Sequence, residues 1–209
     1  MKIVSILKNE KASTMSQIYL DNHVDFSLPR KRIDILELKE GMEISEDRLN
    51  YILDTEVYAS AKSAAVSFLA LRLRTAVEVE RKLSVMGYEE ATVNKVIENL
   101  KEINYINDYK YACKYISEKS KLKPKSVRLL SAELSQRGIS DEIIEKAFEE
   151  FETDDSEVAI ELLRKRYSKY SSFDEKVLKK MKSFLLSRGF SLSQATRAIS
   201  SFVPDEMDL

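Results

Sequence analysis

Histidine, cysteine and clustered glycine carry much of hydrolytic, redox and phosphate-binding chemistry, and this sequence holds one histidine, one cysteine and four glycines. His23 follows Asp21-Asn22 in a candidate turn, so a histidine-based triad is excluded, and the same counts exclude zinc sites of the Cys/His type. Gly41, Gly87, Gly138 and Gly189 are scattered and form no phosphate-cradling loop. Carboxylate pairs such as Glu89-Glu90 and Glu149-Glu150 sit in charged helical stretches and read as solvated faces. The expectation is a protein without catalytic residues, metal or cofactor. Cys113 has no partner for an internal disulfide and, among Tyr111, Ala112, Tyr115 and Ile116, reads as a small buried thiol in a reducing compartment.

What remains is charge. The net value of −1 conceals segregation of sign. From Gly138 to Glu157 nine acids face one base, Lys146, whereas from Val158 to Val203 ten bases face three acids. Lys119, Lys121, Lys123, Lys125 and Arg128 surround Pro124, Arg164-Lys165-Arg166 precede Lys169, and Lys176, Lys179, Lys180 and Lys182 follow.

Such clusters need elements to present them, and the composition favours helices: charged residues make up 33%, with 4 Gly and 3 Pro. The first 28 residues differ. Ile3-Val4-Ser5-Ile6-Leu7, Gln17-Ile18-Tyr19-Leu20 and Val24-Asp25-Phe26-Ser27-Leu28 alternate roughly as strands, with Asp21-Asn22 as a tight turn. Pro29 ends this β segment, a helical turn follows at Ile33 to Lys39, and Ser45 caps the first longer helix.

Beyond it the chain repeats with a period of 51 residues. Gly87, Gly138 and Gly189 share that spacing, and one shift superposes Leu83, Leu134 and Leu185 before them and Tyr88, Ile139 and Phe190 after them. It also superposes Val93, Ile144 and Ala195; Val96, Ala147 and Ala198; Ile97, Phe148 and Ile199; and Leu100, Phe151 and Phe202, one apolar helical face. Thr75 with Glu78 and Ser191 with Gln194 have capping-box spacing. A leading helix precedes each pair, over Tyr58 to Leu73, Asp108 to Lys119 and Ser156 to Tyr167. The predicted fold is mainly α: three tandem three-helix repeats in an elongated array, behind a small N-terminal β-hairpin or three-stranded segment. The predicted domains are 1–44 (β segment and linker), 45–107, 108–155 and 156–209 (the three repeats, the last with an acidic tail).

A helix-glycine-helix unit invites comparison with helix-turn-helix DNA readers. The second helices, however, carry Glu89, Glu90, Glu98 and Glu102 in the first repeat and Asp141, Glu142, Glu145, Glu149 and Glu150 in the second, which phosphates would repel. Major-groove reading is disfavoured.

The order of signals resembles one family. Leu71-Arg72-Leu73-Arg74-Thr75-Ala76-Val77-Glu78-Val79, then Leu100 to Ala112 with Asn104-Tyr105-Ile106-Asn107-Asp108, then Leu122-Lys123-Pro124-Lys125 through Glu133-Leu134-Ser135-Gln136-Arg137-Gly138-Ile139 are similar to the motifs of the RecX regulators of the bacterial RecA recombinase. Asn104 stands where the family has a turn glycine, which left-handed Asn tolerates, and Ser126, Val127 and Leu129 replace glycine and basic residues of its basic loop.

The resemblance implies a regulator that lies in the groove of the RecA-DNA filament and inhibits filament extension, ATPase and strand exchange in DNA repair and recombination. The surface expected to meet that partner comprises Arg72, Arg74, Lys121, Lys123, Lys125, Arg128, Arg137, Arg164, Lys165 and Arg166, with direct contact to the DNA backbone also open. A non-specific DNA-binding helical module and a generic helical scaffold are the competing classes. No apolar run reaches the ~20 residues of a membrane span and no signal core is evident, so a cytoplasmic monomer is expected.

Overall fold

The structure, a computed structural model, describes residues 1–151, 154–170 and 172–203. Glu152 of the acidic run and the acidic tail at 204–209 lie outside the described residues. The chain divides into two compact units, Met1–Asn107 and Asp108–Leu209.

The first unit opens with strands β1 (Ile3–Lys8), β2 (Met15–Leu20) and β3 (Asp25–Pro29), an antiparallel sheet in the order β1-β2-β3. Central β2 buries Met15, Ile18 and Leu20. In the β2–β3 turn His23, not Asp21 or Asn22, takes the left-handed conformation, with φ 65°. Asn22 acts through its side chain instead, its Oδ1 accepting from the Val24 N–H at 3.3 Å. Helix α1 (Arg30–Ile35) begins directly after Pro29, three residues before the expected Ile33, because proline's fixed φ of −60° suits helix entry. Left-handed Glu37, with φ 56°, then diverts the chain before Lys39.

Ser45 caps α2 (Glu46–Tyr51), which continues through a π-helical segment at Ile52–Val57 into α3 (Tyr58–Leu69). The sequence expectation of a leading helix from Tyr58 to Leu73 is thus corrected at both ends. The π-helical segment buries Ile52, Glu56 and Val57 together, and the last helical turn stops at Leu69. Helices α4 (Ala76–Val85) and α5 (Glu90–Glu102) complete the repeat, with Gly87 between them at φ 87°. A Cβ at Gly87 would lie 2.5 Å from Ser27 Oγ of β3, so a side chain there would collide with the sheet. Ile3, Met15, Ile18 and Leu28 share one core with Ile52, Ala61, Val79, Leu83 and Leu100, which joins the sheet to the first repeat. Asn104 closes α5 at φ 61°, the left-handed geometry expected of it.

The second unit contains α6 (Asp108–Leu122), α7 (Val127–Ser135) and α8 (Asp141–Glu149), followed by α9 (Asp155–Tyr167), α10 (Glu175–Ser187) and α11 (Leu192–Phe202). Each triplet has its own core, one around Ala112, Ile116, Leu134 and Ile144, the other around Ala159, Leu163, Met181 and Leu185. Cys113 is half-buried rather than buried, because Ala112 and Ile116, one turn apart, set the inward face of α6. Leu83, Leu134 and Leu185 are fully buried, and Gly138 and Gly189 have φ 80° and 91° beside the 87° of Gly87. The 51-residue period is therefore a period of conformation as well as of sequence.

The third triplet departs from it in one respect. Thr75 and Ser126, 51 residues apart, cap α4 and α7, whereas α10 is capped three residues before the equivalent position, by Asp174. One extra helical turn results.

Candidate partner interface

Most of the residues assigned to a partner surface lie at or beside the connection between the first and second helices of a repeat, whereas Arg137 lies between α7 and α8. In the first repeat that connection spans residues 70–75. Its exit is held by a reciprocal capping box, with Thr75 Oγ1 accepting from the Glu78 N–H at 3.2 Å and Glu78 Oε2 accepting from the Thr75 N–H at 3.0 Å. Arg74 is drawn inward, its guanidinium 4.1 Å from the centre of the Phe68 ring and 3.6 Å from Glu78 Oε1. Arg72 reaches Glu78 only at 3.7 Å and stays 65% exposed. One cation anchors the loop and the other faces water.

The second connection repeats this division. Buried Ser126 accepts from the Leu129 N–H at 3.2 Å, and Lys125 is ion-paired with Glu133 of α7. Burial alone would raise the Glu133 pKa, but hydrogen bonds from Lys125 and Tyr115 outweigh it and hold the carboxyl below its ordinary range. Burial and the same carboxylate push the Tyr115 hydroxyl up to about 12, so it stays a donor at neutral pH. Arg137 donates to Tyr111 Oη at 3.2 Å and stacks 5.1 Å from the Tyr115 ring centre. Lys121 and Lys123 are exposed and, among the described residues, form no ion pair. Arg128 donates from Nε to the Gly189 carbonyl at 3.0 Å, which ties α7 to the third triplet.

In the third repeat Arg164, Lys165 and Arg166 close α9, the end at which a helix dipole favours cations. Lys165 pairs with Glu161 at 3.4 Å, Arg164 is exposed, and Arg166 lies 4.7 Å from the Phe184 ring centre. Arg166 also enters an open groove of about 730 Å³, whose wall on α10 carries Lys176, Lys179 and Lys180. Lys179 is paired with Glu175 at 2.7 Å. These lysines occupy the first two turns of α10, where the dipole opposes positive charge. Among the described residues no group of three or more His, Cys, Asp or Glu side chains could hold a metal, and no helix is long and apolar enough to cross a membrane.

The family models for the first, second and third three-helix domains of RecX match residues 61–100, 107–147 and 152–199 respectively. The chain belongs to the RecX family. "Regulatory protein RecX" of Streptococcus sanguinis (strain SK36) is 33% identical over 93% of this chain and 76% of its own. Its counterpart in Caldanaerobacter subterraneus subsp. tengcongensis is 28% identical over 96% of this chain and 99% of its own. The crystal structure of RecX from Lactobacillus salivarius superposes with a TM-score of 0.59, at 30% identity over 69% of this chain and 96% of that one. A second, "Crystal structure of regulatory protein RecX", has a TM-score of 0.57 and 23% identity over 95% and 98%, a likeness of fold.

The RecX repeats also use residues that sequence reasoning did not single out. Asp155, counted above only as part of an acidic run, accepts from the Val127 N–H at 2.9 Å and from Gln194 Nε2 at 3.0 Å. It thereby places a carboxylate at the start of α7 and braces the α11 capping box. Arg188 accepts through its carbonyl from the Ser126 N–H at 3.0 Å. A Cβ at Gly189 would meet Ser126 Oγ at 2.5 Å, so the close approach of α7 to that turn requires glycine. No local spacing signals these contacts, which join residues 28 to 63 positions apart; the glycine alone was visible.

Proposed function

We propose that this RecX-family protein regulates the RecA recombinase by binding its nucleoprotein filament in the helical groove and inhibiting filament extension, ATPase and strand exchange. The observation that carries the reading is the match to all three RecX three-helix domains along one chain. The geometry supports it with a surface: in each of the first two repeats an internally anchored loop leaves a cation in water, Arg72 in one and Lys123 in the other. A filament is a row of identical subunits, and a chain with recurring contact loops gains affinity by engaging more than one of them. Rim cations of this kind act chiefly on orientation and association rate.

The test is RecA ATPase on single-stranded DNA with substoichiometric amounts of the protein. The wild type inhibits, and the triple variant Lys121→Glu, Lys123→Glu, Arg164→Glu requires about ten-fold more protein for the same inhibition, the order expected for several rim charges reversed. Unchanged inhibition would remove these residues from the interface.

A second reading, direct contact with the DNA backbone, is favoured by the groove of the third repeat. Lys176 and Lys180, in the first two turns of α10, form no ion pair among the described residues, and with Lys179 they match phosphates. Gel-shift titration with single-stranded DNA alone, at two salt concentrations, isolates this contribution. Affinity should fall steeply with salt, and Lys176→Glu with Lys180→Glu should abolish it.

A further inference from the structure

Leu71 and Leu122 are the two most exposed large apolar side chains among the described residues, at 78% and 79%, and they stand one 51-residue period apart. A single exposed leucine is ordinary on a soluble protein. Recurrence at one position of a repeat is not, because nothing in the folding of either repeat requires it: neither side chain belongs to a core cluster.

The two surroundings share one pattern. Both leucines stand at the C-terminal end of a leading helix, Leu71 two residues past the end of α3 and Leu122 as the last residue of α6, with Ala70 donating to the Val66 carbonyl at 2.9 Å and Lys123 to that of Lys119 at 2.9 Å. Each is followed by an exposed cation, Arg72 or Lys123. Two positions later comes a cation folded back onto a glutamate, Arg74 on Glu78 and Lys125 on Glu133, and then a fully buried capping hydroxyl, Thr75 or Ser126. The loop is thus fastened on both sides, and a leucine-cation pair projects from it. Because the connection is short and tied down, little conformational entropy remains to be lost on contact.

The third repeat supplies the contrast. Its equivalent residue, Phe173, packs edge-on against Phe202 with ring centres 5.7 Å apart and belongs to the periphery of that triplet's own core. The extra turn of α10, capped by Asp174, follows at once, and an acid stands where the other loops have a cation. The same place in the third repeat therefore turns inward.

We infer that Leu71 and Leu122 are paired anchors, each entering an apolar socket with an acidic rim on a protein that offers this socket in at least two identical copies. Protein rather than nucleic acid is the occupant because an exposed leucine gains nothing from a phosphate backbone, while the adjacent cation matches a carboxylate rim. The inference rests on the reading of a filamentous partner and names the side chains that grip it.

Co-sedimentation with RecA filaments on single-stranded DNA tests it, using the wild type, Leu71→Ser, Leu122→Ser and the double variant. Neither side chain is packed, so thermal melting should be unchanged in all four, and that is measured alongside. Each single change should weaken binding about ten-fold, the scale of one buried leucine, and the double change about a hundred-fold. Raising the salt should lower all affinities while leaving the ratios between variants. Wild-type binding with undiminished binding of the variants would overturn the anchors and leave the filament reading standing. A wild type that does not sediment with filaments would overturn both. Equal losses on single-stranded DNA without RecA would assign the leucines to nucleic acid and overturn the inference.

Discussion

Glu56 is 5% exposed and has no counterpart in the repeat pattern, yet it organises the junction between the sheet and the first repeat. Its carboxylate accepts from Arg32 and, at 3.1 Å, from Tyr51 Oη. The bond from Arg32 lowers its pKa, burial opposes this, and Tyr51 lowers it further, so the folded protein holds the group ionised below its ordinary range near 4.5. A depressed carboxylate pKa gives stability that is complete above the unfolded value and lost as pH falls through the folded one. Urea midpoints measured from pH 7 to 2.5 should therefore show Glu56→Gln less stable than wild type at neutral pH, with the difference shrinking below about pH 4.5. A difference independent of pH would show that the bonds made by Glu56 do not depend on its charge. At Gly189 the expectation is steric: an alanine at φ 91° incurs left-handed strain and meets Ser126, so Gly189→Ala should cost at least about 2 kcal/mol in chemical denaturation. A cost below ~0.5 kcal/mol would mean that α7 can move away.

Among the elements, the second and third helices of the repeats were legible because their signals are local. The boxes at Thr75-Glu78 and Ser191-Gln194, the glycine before each third helix and the apolar face ending at Leu100 or Phe202 are each set by residues within a few turns of one another. Replacing Thr75 by alanine removes one bond of the box and should cost about 1 kcal/mol, read from the shift in melting midpoint of the first unit. A neutral result would show that the surrounding packing alone holds the start of α4. Helix entries and exits set by tertiary partners were not legible. The π-helical segment at Ile52–Val57 carries Glu56, which bonds to Arg32 more than 20 residues away, and the earlier start of α10 follows a local signal not read from the repeat, Asp174 capping it where Val177 stands at the position that threonine or serine caps in the other repeats. The loop cations show the same limit. Lys121, Lys123 and Arg164 are exposed, whereas Arg74, Lys125, Arg128 and Arg137 make contacts inside their own units that spacing could not foretell.

At the scale of the whole molecule, three triplets of helices descend from one pattern, and their differences divide the work. The first merges its core with a three-stranded sheet, the second is locked to the third through Ser126, Asp155, Arg188 and Gly189, and the third carries the lysine-lined groove. Exposed cations lie mainly on connections, helix ends and α10, whereas α5 and α8, the helices a helix-turn-helix reader would place in the groove, are acid-rich. The role proposed for this arrangement is tested most directly by sedimenting the wild-type protein with preassembled RecA filaments, in parallel with single-stranded DNA alone and RecA alone. The protein should pellet with the filament at concentrations where either component alone leaves it in the supernatant. Equal recovery with naked DNA, or none with filaments, would contradict the account.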